Sequence, residues 1–145
     1  MPIRDFPFLC LTKDNKERPW LPVTIINPSN GEAIPTYGLI DTGADECSVP
    51  AAFAKDLGHD LYKGKPKEVD TAGGKANTYS HLTTVEIFNP KENNIAHKME
   101  NIPIDFTEGL NVVLLGVKNF LDQFTLTIEY PKKVFSIKSS KQRGT

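Results

Sequence analysis

Gly38-Leu39-Ile40-Asp41-Thr42-Gly43-Ala44-Asp45 decides how this chain is read. An apolar, strand-like run ends on an acid, and Thr and Gly follow at once. An acid at a strand end is ordinarily a turn former whose carboxylate bonds its own backbone. The stretches on either side give this one more weight. The motif occurs once in 145 residues. Any chemistry needing two such carboxylates must therefore take the second from another copy of the chain.

Working outward, strand signals dominate. Leu21-Pro22-Val23-Thr24-Ile25-Ile26 is rich in β-branched residues, and Asn27-Pro28-Ser29-Asn30-Gly31 reads as a turn. Residues 33–40 return as a second strand, so a hairpin delivers Asp41 at its end. Residues 50–58 predict a short helix, with Pro50 opening it and Gly58 closing it. Gly73-Gly74 lies between two extended runs and marks a hairpin tip, because glycine tolerates positive φ. Residues 79–88 form the returning strand, residues 89–94 a polar turn, and residues 96–106 a further strand.

Asn111-Val112-Val113-Leu114-Leu115-Gly116 is a short apolar run closed by glycine, as in a strand buried on both faces. Residues 119–124 suit a second short helix. Leu126 to Tyr130 and Val134 to Ile137 alternate in polarity and are joined by Pro131-Lys132-Lys133 as a hairpin turn. With no repeat and no linker, the expectation is one all-β domain over residues 1–138, with one or two short helices. Residues 139–145 form a polar, basic tail.

Composition narrows the classes. The chain is 39% hydrophobic and 24% charged, ordinary for a globular domain with a real core. A net charge of -1 gives no field to attract nucleic acid or an anionic membrane. No apolar run is long enough to span a bilayer. Met1 to Asp5 lacks the basic and apolar regions of a secretory leader, so a cytoplasmic location is expected. Cys10 and Cys47 are too few for a disulfide framework or a zinc site, and His59, His81 and His97 lack metal-ligand spacing. Cys47 reads as a small buried residue, and the histidines as surface or hydrogen-bonded ones.

The order of these elements resembles the retropepsin-like aspartic proteases, the single-domain, homodimeric branch. Three motifs carry the resemblance: Leu39 to Asp45, the glycine-rich Ala72-Gly73-Gly74, and Val113-Leu114-Leu115-Gly116 followed by Phe120-Leu121. They cover about Leu21 to Ile137. The resemblance implies an acid-protease half-barrel active as a symmetric homodimer on peptide or protein substrates, without metal or cofactor. It implies Asp41, Thr42 and Gly43 as the catalytic motif. It implies Ala44, Asp45, Ala72, Gly73, Gly74 and Leu114 as substrate-binding, with residues 70–76 as a flap. Two departures stand out. The segment Val117-Lys118-Asn119 after Gly116 is one residue longer than usual, and the arginine common there is absent, with Lys118 as candidate substitute.

The residue types suit the chemistry. Two adjacent carboxylates cannot both ionise cheaply, so they share one proton. One then activates water while the other hydrogen-bonds the scissile carbonyl. Glycine after the motif lets backbone approach the substrate and donate an N–H to a carboxylate. A fold does not carry its activity with it. A catalytically weak or inactive dimeric scaffold that binds peptide or protein is therefore the alternative, favoured by the longer loop after Gly116.

Overall fold

The computed structural model describes residues 1–71 and 73–140. The predicted tip residue Ala72 and residues 141–145 of the predicted tail lie outside the described residues.

The chain forms ten strands. In order they are β1 (Ile3–Pro7), β2 (Trp20–Ile26), β3 (Ala33–Ile40), β4 (Ser48–Pro50), β5 (Lys65–Thr71), β6 (Gly74–Asn89), β7 (Asn94–Thr107), β8 (Val113–Leu115), β9 (Phe124–Glu129) and β10 (Val134–Ser139). Seven make one sheet in the order β2-β3-β8-β4-β7-β6-β5. β2 also pairs with β6, Val23 opposite Ile87 and Ile25 opposite Val85, so six strands close on themselves and β5 projects as an arm. The other three strands form a small sheet, β1-β10-β9.

Strand period explains the closure. Along β2, Leu21, Val23 and Ile25 point one way and are almost wholly buried, while Pro22, Thr24 and Ile26 are partly exposed. The core gathers these with Val85 and Ile87 of β6, Phe106 of β7 and Leu115 of β8, and with Ile3, Phe120, Phe135 and Ile137 beneath the small sheet. Each such side chain, fully buried, contributes roughly 1.5–3 kcal/mol against exposure.

Three short-range expectations change. The helix over residues 50–58 shrinks to α1 (Phe53–Asp56). Val49 and Pro50 instead finish β4, paired in parallel with Phe106 and Thr107. Burying Val49 against β7 outweighs the helix-start preference of Pro50, and a single turn has little stability of its own. Gly58 does close the segment, at φ 75°. The second helix is a 3-10 turn over Leu121–Gln123, because Asn119 sits at φ 67°, outside helical backbone. The N-terminal strand β1 was not expected at all. It pairs with β10 through Ile3 and Ile137, then shifts register before Phe6, with Asp5 at φ 46°. That irregularity and the Arg4-Asp5 pair hide its apolar spacing.

Candidate active site

The motif sits where three short pairings meet. β3 runs parallel to β8, with Leu39 opposite Leu114 and Ile40 opposite Leu115. Asp41 extends this ladder by one bond, its N–H donating to the Leu115 carbonyl at 3.0 Å. Gly38 permits the close approach, since a Cβ there would lie 2.7 Å from Leu115 Cγ. β8 then meets β4 at Leu114 and Ser48.

Past Asp41 the chain turns sharply. The Gly43 N–H donates to Asp41 Oδ1 at 3.0 Å, and the Ala44 N–H donates to the Asp41 carbonyl at 3.2 Å. The carboxylate is thereby held by its own loop, as glycine at this position suggests. Asp41 is partly buried, while Thr42, Gly43 and Asp45 are exposed.

The longer loop after Gly116 braces this turn through backbone. The Val117 N–H donates to the Ala44 carbonyl and the Lys118 N–H to the Asp45 carbonyl, both at 2.9 Å. A Cβ on Gly116 would lie 2.5 Å from the carbonyl oxygens of Ala44 and Glu46, so only glycine fits. Lys118 Nζ pairs with Glu46 Oε1 at 3.5 Å. The loop is thus tied down without an arginine, and the lysine reaches Glu46.

Cys47 is buried behind the turn and accepts the Gly116 N–H at 3.4 Å. Burial pushes its thiol up to about 11, so it stays protonated at neutral pH and is no nucleophile. His81 Nε2 lies 2.9 Å from the Leu61 carbonyl and His97 Nε2 3.3 Å from the Asn119 carbonyl. His59 departs from expectation: its buried Nε2 has no hydrogen-bond partner, and its ring stacks on His81 with centroids 4.6 Å apart. Burial, and next the neighbouring His81, lower its pKa. Among the described residues no three His, Cys, Asp or Glu side chains converge as a metal site.

β5 and β6 form the glycine-tipped hairpin, Thr71 paired with Gly74. Thr71 Oγ1 donates to the Gly74 carbonyl at 2.6 Å, and Gly74 takes φ 112°. Gly73 and Gly74 are exposed. Between hairpin and motif lies a groove of about 390 Å³. Gly43, Ala44, Asp45 and Leu114 line it from the motif side and Val69, Asp70 and Thr71 from the hairpin, whereas Asp41, Thr42, Gly73 and Gly74 stand outside its walls. Leu114 is only partly buried, unlike Val113 and Leu115, so β8 turns one side chain to the groove. A larger groove, about 440 Å³, lies on the small sheet between Ile3 and Ile137, with no carboxylate on its walls. Of the two, only the smaller one is lined by residues of the motif.

Five further groove residues were missed from sequence: Glu46, Ser48, Asp105, Thr107 and Leu110. Asp105 carried a signal, a lone acid between Ile104 and Phe106, two residues that proved buried. Ser48 and Thr107 carried none, because only the β4–β7 pairing brings them together.

The comparisons agree with this architecture. The family described as aspartyl protease matches residues 21–118, well over half of the chain. The chain belongs to that family, and its fold is retropepsin-like. It resembles the crystal structure of a retropepsin-like aspartic protease from Rickettsia conorii, at 21% identity and TM-score 0.60, covering 94% of this chain and 96% of that one. It also matches the EIAV protease complexed with the inhibitor HBY-793, at 23% identity and TM-score 0.47, over 77% of this chain and 93% of that one. No curated relative matches at a significant level. Family and fold together support a protease-type function.

Proposed function

We propose that the chain is one half of a homodimeric aspartic endopeptidase whose dyad is Asp41 from two identical chains. The observation that carries this is Asp41 itself: a single partly buried carboxylate, fixed by the Gly43 N–H at 3.0 Å beside a groove roofed by a glycine-tipped hairpin. One carboxylate is half of the required pair, and a two-fold axis supplies the other at no cost in sequence.

In this reading the two Asp41 side chains share one proton, and their titration belongs to the pair. The ionised carboxylate takes a proton from water as its oxygen attacks the peptide carbonyl carbon. The protonated one hydrogen-bonds the carbonyl oxygen, and a proton then leaves with the amine. Thr42, exposed in the single chain, is assigned to the contact across the axis. Asp45, Ala72 and the exposed Gly73 and Gly74 are assigned to the backbone of an extended substrate. Closure of the hairpin would exclude water and strengthen each polar contact inside. Two free thiols, one exposed, favour the cytoplasm as its setting.

The scaffold alternative drew on the longer loop after Gly116, and the loop's bonds to Ala44 and Asp45 remove that support. The test is Asp41→Asn. Peptide cleavage should fall by ~10³-fold or more, as when a group acting in the transition state is removed. Sedimentation should report the same dimer. Cleavage at the wild-type rate would end the proposal.

A further inference from the structure

The groove is chemically lopsided. Asp45, Glu46, Asp70 and Asp105 line it, and no Lys or Arg does. Its remaining polar wall is a relay of hydroxyls whose hydrogens are spent inward. Thr78 Oγ1 donates to the Phe106 carbonyl at 3.1 Å, and Thr107 Oγ1 donates to Thr78 Oγ1 at 3.2 Å. Ser48 Oγ lies 3.1 Å from the Asp105 carbonyl and 2.6 Å from Thr107 Oγ1. What Ser48 and Thr107 have left for the groove is lone pairs. A side-chain wall of acceptors and carboxylates complements a group that is cationic and carries several donors and no acceptor, as Lys and Arg side chains do.

An ammonium already sits against part of this wall. Lys67, on β5, places Nζ 2.7 Å from Glu46 Oε2 and 2.9 Å from Asp105 Oδ2. Glu46 and Asp105 also border a second groove of about 280 Å³ beside Ile102 and Pro103, so both carboxylates can be approached from two sides.

We propose that the groove selects peptides carrying Lys or Arg at the position facing Glu46, Ser48, Asp105 and Thr107, and that Lys67 is a resident cation competing for that place. This deepens the endopeptidase reading and rests on it for the groove's role. Bonding to Lys67 holds the Glu46 carboxyl below its ordinary range. Glu46 therefore keeps its charge into mildly acidic solution. A substrate cation that engages the two carboxylates gains charge-assisted bonds that a neutral side chain lacks.

The experiment is fluorescence anisotropy on the full-length Asp41→Asn protein, which binds without cutting. Labelled peptides carry Lys, Arg, Met or Glu at each position in turn. At one position Lys and Arg should bind roughly tenfold tighter than Met, with Glu weaker still, and high salt should narrow the gap. Lys67→Met should widen the Lys-over-Met preference, because it frees Asp105 and leaves Glu46 only its longer pairing with Lys118. Glu46→Gln combined with Asp105→Asn should erase it. Equal binding of Lys and Met peptides, no binding by any of them, or a Lys67→Met protein that prefers Lys less would each overturn the proposal. The two readings fail separately. Lys-selective binding without cleavage by wild type sinks only the catalytic one, and cleavage indifferent to charge sinks only this one.

Discussion

At the scale of single residues, the site depends as much on absent atoms as on reactive ones. Gly116 lies against the carbonyl oxygens of Ala44 and Glu46, and a methyl there would come within 2.5 Å of both. Backbone cannot yield as a flexible side chain can. Gly116→Ala should cost about 1–3 kcal/mol, read from urea midpoints, because the strain falls on a packed interior. Cleavage should fall more than stability does, since the displaced loop carries Asp45. The sequence placed this glycine at the end of an apolar run and gave no reason for it. The reason is a loop about seventy residues earlier, which no local pattern reveals. Gly43, Ala44, Asp45 and Leu114 were legible as groove residues because each motif is contiguous. Glu46, Ser48, Asp105 and Thr107 were not, because their meeting depends on a parallel pairing between strands far apart in the chain.

Among the elements, the long strands and the wholly apolar β8 were legible, while β1 and β4 were not. β2, β3, β6, β7, β9 and β10 advertise themselves by alternation and by turn residues between them. β4 is three residues and takes Pro50 from an apparent helix start. β1 breaks its own period at Asp5. The glycine-tipped hairpin has a further property at its base. His59 stacks on His81 of β6, both rings meet Phe106 of β7 edge-on, and the 3-10 turn Leu61–Lys63 leads from this cluster into β5. The His59 pKa is lowered in the fold, so its neutral form is the one the fold favours. Its contribution is present above the ordinary imidazole value near 6.5 and is lost as pH falls through the lower, folded value. Acid should therefore loosen this joint. Urea midpoints across mildly acidic pH should decline in wild type and decline less in His59→Phe, which keeps the stack without the titration.

For the whole molecule, a closed six-strand barrel carries the single Asp41 motif, and the proposed dyad takes its second carboxylate from another copy. Activity should then depend on assembly. On dilution through the dimer dissociation constant, the rate per chain should fall with the dimer fraction seen by sedimentation. A rate per chain that holds constant through dissociation would mean that one chain suffices. Closure of the barrel by the β2–β6 pairing also decides where the larger sheet is left open to neighbours. Among its described strands, β5 pairs on one side only, and its outer side is unpaired along its length. Unpaired margins invite other chains to add a strand, which leads to aggregation. Here the margin reads Lys65-Pro66-Lys67-Glu68. Pro66 has no N–H to offer, and three charges in four residues oppose stacking of like copies. The proposed closure of this hairpin needs an edge that stays single, and this composition keeps it from acquiring a partner strand.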